Sequence, residues 1–77
     1  MTSKKRVYRV EYTVKNTGRT ADEIRKFIKD KMSIECFVAV HPNRVKVTFS
    51  SAVPESALEI LDEYISEQME GKRIVTL

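Results

Sequence analysis

Between Lys5 and Lys15 apolar and polar residues alternate strictly, so Tyr8, Val10, Tyr12 and Val14 share one face and Val7, Arg9, Glu11 and Thr13 the other. That period of two predicts a half-buried strand whose core face is made of two tyrosines and two valines. The period then changes. Ala21, Ile24, Phe27, Ile28 and Met32 recur at helical spacing, which predicts a helix from about Ala21 to Lys31. Thr20, three residues before Glu23, supplies a capping box in which hydroxyl and carboxylate each satisfy a backbone donor at the helix start.

From Ile34 to Ser50 the alternation returns on both sides of Pro42-Asn43 and reads as a β-hairpin. Pairing Val40 with Val45 puts Val38 opposite Val47 and Cys36 opposite Phe49, all on one face. His41, Ala39, Phe37 and Glu35 then meet Arg44, Lys46, Thr48 and Ser50 on the other. A type I turn with Pro at its second position fits this register. Ser50 to Val53 is expected to be a short connection, with Pro54 in the first turn of a second helix. Ala57, Leu58, Leu61, Tyr64, Ile65 and Met69 mark the buried stripe of that helix, and Gly71 ends it at a positive φ. Arg73 to Leu77 is β-prone and completes the order as an edge strand.

The order βαββαβ predicts an α+β, two-layer sandwich over residues 1–77 as a single domain. An antiparallel four-stranded sheet carries two helices on one face, the ferredoxin-like arrangement. Right-handed crossovers place the first and third strands in the centre. The competing fold is an α+β domain in which the five C-terminal residues form no strand.

The sheet face without helices is the first candidate surface. By the alternation it carries Arg9, Glu11 and Thr13 on one central strand and Arg44, Lys46 and Thr48 on the other. Phe37, Ala39 and His41 lie on an edge, and Lys5, Val7 and Lys15 extend the first strand. Phe37 ringed by Arg9, Arg44 and Lys46 is the predicted binding site. It suits a protein contact through the apolar island of Val7, Phe37 and Ala39, including self-association, or an RNA or DNA strand met by cations and a lone aromatic. RNA-recognition modules of this fold carry two or three outward aromatics on the central strands. Here Tyr8, Tyr12 and Phe49 are expected in the core, which favours a protein partner.

Composition narrows the classes. The net charge of +3 is unevenly spread: residues 1–31 hold ten Lys/Arg against four Asp/Glu, and residues 32–77 hold four against seven. Within the second half, Glu55, Glu59, Glu63 and Glu67 repeat every four residues, a second candidate surface of opposite sign. Either the first helix neutralises this stripe with Arg25, Lys26 and Lys29, or it docks a basic partner. One cysteine and one histidine are too few for a disulfide or a structural zinc site, and a cytoplasmic, reducing compartment is expected. No segment resembles a signal peptide or a membrane span.

Nor do the residues predict catalysis. Cys36 and His41 lie five apart on one strand and point to opposite faces. The loop Lys15-Asn16-Thr17-Gly18-Arg19 is a weak anion cradle, because Asp22 and Glu23 already compete for the helix dipole. The expectation is a small, non-enzymatic binding module without cofactor or metal. It acts through the sheet face and the acidic stripe, with nucleic-acid binding as the alternative.

Overall fold

The computed structural model describes residues 6–16 and 18–77. Its elements are β1 (Arg6–Thr13), α1 (Ala21–Met32), β2 (Cys36–His41), β3 (Arg44–Pro54), a 3-10 turn (Glu55–Ala57), α2 (Leu58–Met69) and β4 (Lys72–Thr76). The antiparallel sheet runs β2-β3-β1-β4, so the molecule is the βαββαβ ferredoxin-like α+β sandwich. Lys5, assigned to the open face by the alternation, lies outside the described residues.

The hairpin forms in the expected register. Cys36 faces Phe49, Val38 faces Val47, Val40 faces Val45 and His41 faces Arg44, with no shift along the six pairs. Neither Pro42 nor Asn43 takes a positive φ, which excludes a type II or primed turn. The turn is anchored to β1 by the Val14 amide, which donates to the Asn43 carbonyl at 3.0 Å.

Both helices pack on the face that carries Val10, Tyr12, Val45, Val47 and Phe49. Ile24 and Ile28 come from α1, and Leu58, Leu61, Ile65 and Met69 from α2, all buried. The helices meet through Phe27 and Tyr64, whose rings stack at 3.8 Å between centroids and 17° between planes. Such a pair contributes about 0.5–1.5 kcal/mol beyond its buried area. The capping box at the start of α1 is complete: the Glu23 amide donates to Thr20 Oγ1 at 3.2 Å and the Thr20 amide to Glu23 Oε1 at 2.9 Å. These backbone and arginine contacts hold the Glu23 carboxyl below its ordinary range.

Three expectations need correction. First, Tyr8 is 59% exposed and Val7 only 1%, the reverse of the predicted parity at the start of β1. The cause is a β-bulge. The Leu77 carbonyl accepts from both the Tyr8 amide (2.7 Å) and the Arg9 amide (3.1 Å), so two residues of β1 oppose the one residue that follows β4. On the other side β3 spends four residues, Phe49 to Ala52, between partners that β1 separates by Tyr8 alone. Val7 therefore turns inward with Val10, and Tyr8 joins Arg9 outside.

Second, Ser50 to Val53 is strand and not a connection. β3 continues to Pro54, with Val53 opposite Val7 and Pro54 opposite Arg6, and the 3-10 turn precedes α2. Third, the left-handed residue ending α2 is Glu70 (φ 50°), not Gly71. Gly71 is needed for space. A Cβ there would lie 2.5 Å from Ile65 Cγ2, 2.8 Å from Val14 Cγ1 and 3.1 Å from the Thr13 carbonyl. The Gly71 amide donates to the Ile65 carbonyl at 3.2 Å, which fixes the backbone over that side chain.

Candidate functional site

The sheet orders the open face into rows across its four strands. One row runs Phe37, Thr48, Arg9 and Leu77; the next Ala39, Lys46, Glu11 and Val75; the third His41, Arg44, Thr13 and Lys72. Arg9, Phe37, Arg44 and Lys46 are thus gathered on one surface, as the alternation predicts. The first row is apolar at both ends, and a third exposed apolar side chain adjoins it. Phe37 is 73% exposed, Leu77 58%, and Tyr8 lies beside Arg9.

Glu11 organises the charges. It is 8% exposed, and its carboxylate lies 3.9 Å from Arg9 Nε and 3.6 Å from Arg44 Nη1. A carboxylate this enclosed needs cationic neighbours, and the two guanidiniums are held toward it. Lys46, opposite Glu11 on β3, makes no ion pair among the described residues within 4.0 Å. The face is therefore cationic but carries a negative charge at its centre.

Sequence reasoning misses Tyr8 and Leu77. For Tyr8 one signal was available: Val7 is the apolar exception on a face otherwise made of Arg9, Glu11 and Thr13. A one-residue slip at that point removes it. Leu77 joins the row only through its exchange of backbone hydrogen bonds with Arg9, at 2.8 and 3.1 Å, which no local pattern encodes.

On the opposite layer Glu59, Glu63 and Glu67 are exposed along α2, and Glu55 is half-buried in the 3-10 turn. The cations of α1 do not answer them. Arg25 pairs with Asp22 at 3.1 Å, and Lys29 reaches Glu35, holding that carboxyl below its ordinary range. No ion pair among the described residues engages the stripe.

Behind the sheet, the Tyr12 hydroxyl donates to Asp62 of α2, and Asp62 Oδ2 lies 3.3 Å from Arg73 Nη2. Arg73 stands opposite Tyr12 in the ladder. Burial, reinforced by the Asp62 carboxylate, raises the tyrosine hydroxyl above its ordinary range. The trio joins helix to sheet.

The remaining candidates separate. Cys36 is half-buried on the helix side, where burial raises its thiol, while His41 sits exposed at the turn. In the loop before α1 the Gly18 amide donates to Asn16 Oδ1 at 3.1 Å, and Arg19 is engaged by Gln68 through Nε (3.1 Å) and Nη2 (2.6 Å). Thr17 of that loop lies outside the described residues; among the others, the Gly18 amide and the Arg19 guanidinium, two donors an anion would draw on, already have partners within the chain. Among the described residues no group of three or more His, Cys, Asp or Glu is gathered for a metal, and no helix is long and apolar enough to cross a membrane. Comparison of the chain with family profiles, with curated proteins and with solved structures gives no match.

Proposed function

We propose that this chain is a non-enzymatic binding module of the cytoplasm that docks its open sheet face on another protein. The observation that carries this reading is the row Phe37, Thr48, Arg9 and Leu77 with Tyr8 next to Arg9 in the chain, which leaves three exposed apolar side chains on a surface that also carries a guanidinium. Aromatic residues and arginine dominate the energetics of protein interfaces, where each well-packed anchor contributes about 1–3 kcal/mol. Glu11 supports a protein over a polyphosphate. A strand of phosphates would have to approach a fixed carboxylate and compete with it for Arg9 and Arg44.

The fitting partner has an apolar cleft rimmed by carboxylates, which Lys46, Arg44 and Lys72 complement. Four strands spaced about 4.8 Å apart give a face on the order of 400–500 Å², smaller than the ~800 Å² each partner contributes to a standard interface. A weak, reversible contact follows. Glu55, Glu59, Glu63 and Glu67 on the far layer, without an ion pair among the described residues, add a charge asymmetry that orients encounter and offers a second, basic-seeking surface.

A second reading has one specific observation in its favour: Tyr8 stands outward on a central strand beside Arg9, so two aromatics are available to stack bases. Affinity capture with the wild type and with Tyr8→Ala and Phe37→Ala separates the two. The protein reading expects partners that survive nuclease treatment and are lost from both variants. Capture insensitive to both substitutions refutes it, and steeply salt-dependent binding to labelled single-stranded RNA or DNA replaces it with the second reading.

A further inference from the structure

The two sheet edges differ. β4 carries Lys72 and Arg73 and is bulged between the partners of Glu11 and Tyr12, devices that discourage another strand from pairing. β2, Cys-Phe-Val-Ala-Val-His, has no charged residue before His41, no proline and no irregularity. Which of its backbone groups face outward follows from one bond. The Ser50 amide donates to the Glu35 carbonyl at 2.9 Å, so Glu35 and Ser50 form a hydrogen-bonded pair. Hydrogen-bonded and non-bonded pairs alternate in an antiparallel ladder. Phe37, Ala39 and His41 therefore point their amides and carbonyls at β3, while those of Cys36, Val38 and Val40 point away from the sheet. Among the described residues no backbone bond to another segment engages those three. Nor does α1 seal the edge: a cavity of about 160 Å³ lined by Ala21, Asp22, Arg25, Phe37 and Val38 opens between them.

The geometry points to antiparallel pairing of β2 with β2 of a second copy, about a two-fold axis through Val38. Of the registers that keep each side chain on its own face, this one uses all three outward residues. Cys36 bonds across to Val40 of the second copy, Val38 to Val38 and Val40 to Cys36, and each pair exchanges two backbone hydrogen bonds. Moving the axis one residue either way loses one of the three pairs. The side chains agree with it. Phe37 falls opposite Ala39 of the second copy, large against small, and Glu35, whose carboxylate Lys29 engages within its own copy, falls opposite His41. The result is a continuous eight-stranded sheet in which the second copy's Phe37 and His41 extend the open face. The inference stands apart from the identity of any partner on that face.

An edge contact of six residues lies below the ~1,200 Å² of standard interfaces, so association should appear over roughly 10–1,000 μM. Sedimentation equilibrium of the full chain should show a monomer–dimer equilibrium in that range. Val38→Pro removes an outward amide, leaves the β2–β3 ladder and the open face intact, and should give a monomer with an unchanged circular dichroism spectrum. Phe37→Lys with Ala39→Lys sets lysines directly opposite across the axis and should also give a monomer. Phe37→Lys with Ala39→Glu sets lysine against glutamate and should restore a dimer that salt weakens. A wild type monomeric at the top of the range overturns the inference. So does a dimer that survives Val38→Pro but is lost in Tyr8→Glu, which reports stacking of open faces, or failure of the lysine–glutamate pair to restore what the lysine pair removes.

Discussion

Replacing Gly71 by alanine isolates what that position is for. If glycine were there to adopt a positive φ, Asn would be the best substitute, since its short polar side chain tolerates the left-handed region. Gly71 has no positive φ, and the added Cβ would stand 2.5 and 2.8 Å from methyl groups of Ile65 and Val14. Those side chains are 0% and 4% exposed, so neither can swing into solvent, and the third neighbour at 3.1 Å is backbone. Overpacking of this kind costs about 1–3 kcal/mol, offset by about 0.4–1 kcal/mol from the stiffer unfolded chain, leaving a net loss of about 1–2 kcal/mol. A domain of 77 residues has about 4–12 kcal/mol in total, so the effect is large. Urea denaturation followed by circular dichroism should show the midpoint falling by about 1 M or more at constant slope. In a Val14→Ala background, where Cγ1 is gone, the same substitution should cost about 1 kcal/mol less. A Gly71→Ala variant as stable as the wild type, a more stable Gly71→Asn, or perfect additivity with Val14→Ala would refute the steric account.

The neighbouring residue predicts the opposite sign: Glu70→Gly relieves a left-handed non-glycine residue and should stabilise by about 0.5–1 kcal/mol in the same urea assay. Tyr12→Phe should cost about 1–2 kcal/mol by removing the bond to Asp62. Asp62→Ala should cost more, since it strands both the tyrosine hydroxyl and Arg73, whose Nη1 is buried without a partner among the described residues; paired thermal melts check the order. The carboxyls of Glu23 and Glu35 titrate below their unfolded value of 4.5, so the stability they contribute is full above that pH and is lost as the pH falls through their folded values. Unfolding free energies measured between pH 6 and 3 should therefore fall less steeply in Glu23→Gln than in the wild type.

The hairpin was legible because two independent constraints, a two-residue turn and a period of two, admit one register. The core stripes of both helices followed from periodicity, apart from Ala57, which lies in the 3-10 turn before α2, and the order of strands followed from the handedness of the crossovers. What escaped was set at a distance. Val7 and Tyr8 are both apolar, and which one turns inward depends on a carbonyl of Leu77 some seventy residues away. The second half of β3, Ser-Ser-Ala-Val-Pro, has no strand pattern and is strand because Arg6 and Val7 pair with Pro54 and Val53. At the end of α2 the pattern identified the right neighbourhood but the wrong residue, since a glycine kept for close packing and one kept for its φ look the same in a sequence. The basic surface on the sheet was readable from alternation, whereas its aromatic row was not, because that row is assembled by the same bulge.

The carbonyl of Met69 accepts from the amides of both Lys15 and Asn16, at 3.1 and 3.2 Å. Two loop residues that carry no regular secondary structure are thereby secured to the last turn of a helix far along the chain. Their amide protons can meet solvent deuterium only when that turn lets go, so they should exchange in step with Met69 and Glu70 and not with the surrounding loop.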